Sequence, residues 1–457
     1  MTRNLSLVLL ALTGTALAQG PLTPPPGADP SIGPINALTP GGLPQATMKT
    51  LHQVEPRTPL AAGSPGVTQN GNGGYTITAA GSYYLIANLD VATANGVTIS
   101  ASHVTLDLNG FTISSSVTPA NGIGISAGIA FSNITIRNGK VAGASTRTGS
   151  AHPYTFTGAG FLNGVSVGSE HTLVSDLTVY GCGFTGIHSA DGTVERCESY
   201  RNLGIGIYAT TVRNCVAKEN KLTGIQVAGG PVTQCHAENN GEKGILAPGP
   251  VSHCTAADNG TDGIHAESVA HSSVSRNKGH GIITANAQHS HAQDNDGHGF
   301  QFYSTFNTAF PENAIASSAT SCTAWSNKLT GFWALGATLT SCSASKNGAN
   351  STPANLDGCG IRADGGVVSQ CQAFGNLHHG IRADNASVTG CSARLNGMAG
   401  IWCDGGLVSQ CSARQNTHQG INAFESSITN CAASGNGTVD ISPGTLNATR
   451  TGNYPAP

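Results

Sequence analysis

Eight of the chain's 16 histidines fall between His236 and His298, and imidazoles held in a row can bind a transition metal or act as acid and base near neutral pH. Aligned on the local repeat, His253, His271 and His289 share the slot immediately before a Cys or Ser, while His280 and His298 share the slot before the next glycine. These five are the candidate catalytic residues. The same alignment also describes a solvated polar stack left behind by duplication of the repeat.

Two further groups could carry chemistry. Asp364, Asp384 and Asp404 occupy one slot three residues after an Ile, with Arg362 and Arg382 two residues before the first two of them. Stacked carboxylates repel unless a cation or an arginine compensates them, which makes the three aspartates candidate metal ligands. Asp364-Gly365-Gly366 and Asp404-Gly405-Gly406 read equally well as turns. The second group is aromatic: Phe300, Phe302, Tyr303, Phe306, Phe310, Trp325, Phe332 and Trp333 crowd one stretch of a chain with only 12 Phe, 9 Tyr and 3 Trp. Sugar rings stack on aromatic faces, so Tyr303, Phe306, Phe310, Trp325 and Trp333 are candidate glycan contacts. Phe300 and Phe332 replace an Ile of the repeat and are expected to face the core.

What positions these residues is a phrase that returns from Val194 to Ile441, V-x-x-C-x-A-x-x-N-x-x-x-G-I-x-A, at a spacing of 18 to 20 residues. Cys197, Cys215, Cys235, Cys254, Cys322, Cys342, Cys371, Cys391, Cys411 and Cys431 hold one slot, with Ser272 and Ser290 standing in it twice. An Asn follows five residues later, from Asn202 to Asn436. Such a coil offers three short strands with Ile, Val and Ala facing inward, cannot bury that face alone, and must stack on the next. Stacked Asn amides can hydrogen-bond along the axis at a turn that tolerates left-handed backbone. Glycine before Ile allows close backbone approach.

Cysteines in one register would lie about 4.8 Å apart with aligned Cβ vectors, whereas a disulfide needs Cβ atoms nearer ~3.8 Å. The ladder therefore reads as buried thiols, and Cys182, Cys359 and Cys403 are the better candidates for any bridge. Two insertions break the period. Asn295 to Asn327 spans 32 residues, with the excess near Tyr303 to Ser317, and Asn347 to Asn376 spans 29, with the excess near Gly348 to Gly358. Solenoid insertions are surface loops that often flank a binding face.

Composition agrees with one elongated repeat body: 457 residues, 61 of them Gly, and only 10% charged. A net charge of −3 gives no case for nucleic acid. Residues 1–18 read as an export signal, with Arg3, the apolar run from Leu5 to Leu12 and the small residues Ala16-Leu17-Ala18. A secreted or periplasmic monomer, cleaved near Ala18, is expected, and no later segment has the length of apolar residues that would insert it into a membrane. Residues 19–72 form a Pro-rich linker and cap with a short helix near 45–54, residues 73–443 the solenoid, and residues 444–457 a tail.

The coil pattern from about Tyr75 to Ile441 resembles the right-handed parallel β-helix proteins of bacteria, the pectate-lyase-like superfold that includes polygalacturonases, alginate epimerases and NosD-like periplasmic proteins. The resemblance implies an all-β, right-handed parallel β-helix of about 15 coils with an N-terminal capping segment. It also implies an exported protein that binds a polysaccharide, acidic or neutral, with lyase, hydrolase or epimerase chemistry open to it. Calcium with an arginine base is the lyase version of that chemistry, and the slot of His253, His271 and His289 is expected to point outward near the groove. Gly279-His280-Gly281 and Gly297-His298-Gly299 are similar to the Gly-His-Gly element of polygalacturonases, without the accompanying Asn-Thr-Asp, Asp-Asp and Arg-Ile-Lys elements. A non-catalytic surface β-helix and a NosD-like metal-handling protein are the alternatives.

Overall fold

The computed structural model describes residues 57–149, 154–302, 317–349, 358–442, 450–451 and 454–455. The chain divides after Pro56, and everything described belongs to the second unit. The export segment, the helix near 45–54 and the aromatic residues Tyr303, Phe306 and Phe310 lie outside the described residues.

Three columns of short parallel strands run the length of this unit. Coil 361–380 shows why: Ile361–Arg362, Val367–Ser369 and Gln372–Phe374 each contribute one strand. Their inward residues Ile361, Val368 and Ala373 are at most 1% exposed. An Ile buried this way is worth roughly 1.5–3 kcal/mol, and only the neighbouring coil can bury it. The first column stacks seventeen strands in unbroken parallel register, from Tyr75–Ile77 to Ile441–Ser442. That is two coils more than the repeat suggested, because the earliest coils lack the Cys and Asn slots. No helix occurs among the described residues, and none is long and apolar enough to cross a membrane.

The ends also differ from expectation. Thr58–Pro59, within the segment assigned to the linker and cap, is a strand that pairs with Tyr83–Tyr84 in the second column. Arg450–Thr451 and Tyr454–Pro455 of the expected tail extend the second and third columns. A further insertion went unread in the sequence: Thr146–Thr148 and Thr155–Thr157 form an antiparallel hairpin.

Each regular coil bends at two single residues in left-handed conformation. One precedes the Cys slot, as in Arg196, Gln234 and Gln370, and the other precedes the Asn slot, as in Arg201, Glu219 and Asp258, all with φ between 51° and 56°. The left-handed residue is thus the one before the ladder Asn, which turns the chain and leaves the amide free to point inward.

That amide is fully used. Asn327 Oδ1 accepts from the backbone N–H (3.1 Å) and Nδ2 (2.9 Å) of Asn295, while its Nδ2 donates to Ala292 O and to Asn347 Oδ1, both at 3.0 Å. The same linkage runs from Asn202 to Asn436 and ends on Asp440, whose Oδ1 accepts from Asn436 N (3.1 Å) and Nδ2 (2.7 Å). That oxygen accepts both bonds, and the ladder stops there.

The Cys ladder is a second hydrogen-bonded stack. All 13 cysteines are buried thiols, none in a disulfide. Cys197 N–H donates to Cys215 Sγ at 3.4 Å, and the Cys197 thiol donates to Glu195 O at 3.3 Å. Ser272 and Ser290 reproduce both bonds, with Cys254 N–H on Ser272 Oγ at 3.2 Å and Ser272 Oγ on Ala270 O at 2.9 Å. Serine here continues the ladder and marks no special site. Cys182, Cys359 and Cys403, the expected bridge candidates, are thiols too, and burial pushes the first two up to about 12 and the third up to about 11.

Candidate functional site

The histidines separate into two ladders on different corners of the coil. His253, His271 and His289 occupy the left-handed bend between the second and third columns, at φ 55°, 49° and 45°. They are exposed, as expected, and their rings stack at 4.9 and 5.0 Å with interplanar angles of 5° and 10°. Parallel rings that far apart do not converge on one ion. Along the chain, this bend is separated from the first column by a full strand on either side.

His280 and His298 sit instead at the turn into the first column, stacked at 5.1 Å. His280 N–H donates to Asp262 Oδ1 (2.9 Å), His298 N–H to His280 Nδ1 (3.0 Å), and Thr330 N–H to His298 Nδ1 (3.1 Å). Each Nδ1 accepts, so each ring is held as the neutral Nε2–H tautomer. Burial lowers the pKa of both, that of His298 to about 3. A ring so committed is a poor proton carrier near neutral pH. The five histidines proposed as catalytic are therefore not brought together, and the second pair is structural in its bonding.

This yields a pH prediction. The folded pKa of His298 lies below its ordinary 6.5, so the stability it contributes is complete above that pH and is lost as pH falls toward the folded value. The thermal midpoint should drop between pH 7 and pH 4. His298→Asn, which keeps an acceptor for Thr330 N–H, should flatten that drop; an unchanged acid slope would contradict it.

The structure instead draws attention to the outward residue of each first-column strand, the x of G-I-x-A. From coil to coil it reads Gln301, Trp333, Arg362, Arg382, Trp402 and Asn422, in direct register. All six are half-buried and all carry planar polar or aromatic heads. Six coils at about 4.8 Å make a strip on the order of 24 Å long. Both insertions border it in the chain: one leaves after Phe302 at the strand's end, and the other rejoins at Gly358, just before Ile361. Phe300 and Phe332 lie beneath it in the core, stacked at 4.8 Å.

Trp333 is enclosed, with His298 at 4.8 Å on one side and the Arg362 guanidinium 4.4 Å from its ring centre on the other. Trp402 meets His379 at 5.2 Å and 51°. Trp325 is far from this strip in the coil: it ends a third-column strand, 36% exposed, with Lys346 Nζ 5.8 Å from its ring. The two tryptophans expected to act together belong to different faces.

Arg362 Nε pairs with Asp364 Oδ2 at 3.0 Å, Arg382 Nη2 with Asp384 Oδ2 at 2.8 Å, and Asp384 N–H donates to Asp364 Oδ1 at 3.3 Å. Arginines on their own coils pair with one oxygen of each of the first two aspartates, Asp384 Oδ1 is left without a partner, and Asp404 stands one coil farther on. Among the described residues no group of three or more His, Cys, Asp or Glu is arranged to hold a metal ion. The residues present do not fit the calcium site expected of them.

Hydrogen bonding on this strip is incomplete. Gln301 Oε1, Thr330 Oγ1, His379 Nδ1 and Asp384 Oδ1 are buried without a hydrogen-bond partner, all within four consecutive coils. His188 Nδ1 and Ser189 Oγ, on an earlier strand of the same column, are alike. Buried polar groups are normally paired, and an unpaired one needs a reason. The Asn, Cys and Ser ladders show how completely this chain pairs such groups elsewhere.

Residues 66–249 match the family model described as right handed beta helix region, and the same three columns continue in register to Ile441. The described residues from Tyr75 to Ile441 form a right-handed parallel β-helix. No curated protein matches the chain's sequence. Among solved structures, this β-helix is similar to a mannuronan C-5 epimerase A-module from Azotobacter vinelandii, with 12% identity over 81% of this chain and 90% of that one and a TM-score of 0.26. It is also similar to the catalytic unit of an α-1,3-glucanase from Streptomyces thermodiastaticus, with 14% identity over 82% and 63% and a TM-score of 0.28. For tailspike protein 3 of bacteriophage CBA120 the values are 8% identity, 84%, 56% and 0.30.

Proposed function

We propose that the outward face of the first column, from Gln301 to Asn422, binds a polysaccharide in an exported protein. The observation that carries this reading is the concentration of unpaired buried polar atoms on a strip lined by Trp333, Arg362, Arg382 and Trp402. A chain of hydroxyl groups supplies hydrogen-bond donors along its length, and its ring faces suit indoles.

Binding without bond cleavage is the version these pairings support. His280 and His298 are held neutral, burial lowers the His379 pKa to about 4, and Asp364 and Asp384 are ion-paired. A metal-handling role has no support in the parallel, exposed imidazoles of His253, His271 and His289.

Affinity electrophoresis of the full chain through gels containing polysaccharide tests the proposal. Trp402→Ala should weaken retardation on the order of 30-fold, the scale of an aromatic hot spot at about 2 kcal/mol. Retardation that Trp402→Ala leaves intact would place binding elsewhere.

A further inference from the structure

We infer that the polysaccharide this face accepts is uncharged, its hydroxyl groups rather than carboxylates being what the strip recognises. The inference rests on the binding reading above and adds the ligand's chemical class.

Recognising a polyuronate requires cations free to meet carboxylates. The strip and its flanking turns hold none. Arg362 and Arg382 are each closed onto an aspartate of their own coil at 3.0 and 2.8 Å. Lys328, on the turn entering the Trp333 strand, is paired with Asp296 at 2.6 Å; Lys278, in the same slot two coils toward the N-terminus and outside the strip, is exposed. Opposite charges this close cancel at distances beyond a Debye length of about 8 Å. Asp404 then adds a carboxylate on the next coil, so along the row the anions Asp364, Asp384 and Asp404 outnumber the cations Arg362 and Arg382. The two insertions bring no Lys or Arg either: residues 303–316 contain Glu312 and residues 350–357 contain Asp357 as their only charged residues. A polyanion laid along this face would meet net repulsion.

The unpaired atoms point the same way. Gln301 Oε1 and Asp384 Oδ1 can only accept. They lack donors, which sugar hydroxyl groups supply, in neutral polymers and uronates alike, whereas a carboxylate placed against them would only add repulsion. His379 is 5% exposed with Nδ1 unpaired, and its ring is kept neutral by burial, so it adds no positive charge to offset the aspartates.

The test compares neutral polymers (α-glucan, β-glucan, galactomannan, xylan) with polyuronates (alginate, polygalacturonate) by affinity electrophoresis at low ionic strength. It uses the full chain, Trp402→Ala, and the double variant Asp364→Asn/Asp384→Asn. Retardation by a neutral polymer, lost in Trp402→Ala and absent with both polyuronates, is expected. The double variant frees two arginines and should gain retardation by polyuronate. Polyuronate retardation of the unmodified chain that depends on Trp402 would overturn the uncharged ligand and leave the binding face standing. Retardation by no polymer at all would overturn the binding reading, and this inference with it.

Discussion

Asn327→Ala is expected to lower the unfolding free energy by about 3 kcal/mol or more, from three buried groups left unpaired at about 1–3 kcal/mol each. Those groups are the N–H and Nδ2 of Asn295, which lose Asn327 Oδ1, and Ala292 O, which loses Asn327 Nδ2. Asn327 has no solvent exposure, so water cannot take over these bonds without opening the coil. Asn436 offers the internal comparison, since it lies at the part-exposed end of the ladder beside Asp440. There the same substitution should cost only about 1 kcal/mol. Because a solenoid's stability is a sum of coil and neighbour terms, native-state hydrogen exchange is the measurement that separates the two. Asn327→Ala should speed exchange in the coils on either side of it, and equal effects at Asn327 and Asn436 would contradict the ladder's role.

Gly380→Ala should be comparably damaging for a steric reason. A Cβ on Gly380 would sit 2.5 Å from Asn396 Nδ2 and 2.6 Å from Gly400 O, wedging a methyl between two coils at the Asn ladder. Both neighbours are held by the stack and cannot retreat, so the cost belongs at the upper end of the about 1–3 kcal/mol seen for overpacking. Gly229→Ala is the control, with nothing within 4 Å of the added methyl and no left-handed backbone, and should change stability by less than about 0.5 kcal/mol. Chemical denaturation of both variants checks the contrast. A Gly380→Ala chain as stable as Gly229→Ala would mean that the coils can separate freely at this point.

The scaffold was legible because its stabilising residues are also its repeated residues. The Cys slot, the Asn slot and the Gly before Ile each exist for contact with the same slot one coil away, so periodicity alone exposes them. The early coils around Val97, Ile123 and Asn163 were harder to count because they are closed by other residues. Stacking of the histidines was readable for the same reason as the Asn ladder, but the use of their nitrogens was not. Whether Nδ1 of His298 faces solvent or caps Thr330 N–H depends on a rotamer that spacing does not encode.

The candidate face was harder still. Its residues occupy the x of G-I-x-A, a slot that appears free because no two neighbours need match. Trp333, Arg362 and Arg382 stand out for local reasons; Gln301, Trp402 and Asn422 do not. A signal was nonetheless present: an unconstrained outward slot that carries planar heads on six successive coils is itself a pattern. The left-handed bend before Cys, which carries His253, His271 and His289 to a different corner, was beyond reach, since Arg, Gln, Ser and Leu adopt left-handed bends in this chain as readily as His.

On the proposed reading one face, and not the histidine corner, meets the ligand. Hydroxyl-radical footprinting of the full chain with and without a retarding polysaccharide tests it directly, since Trp333 and Trp402 mark the face while Trp325 and the exposed His253, His271 and His289 mark other surfaces. Protection of Trp333 and Trp402, with Trp325 and those three histidines unchanged, is the predicted result. Protection of His253, His271 and His289 with Trp402 still oxidised at its free rate would contradict it.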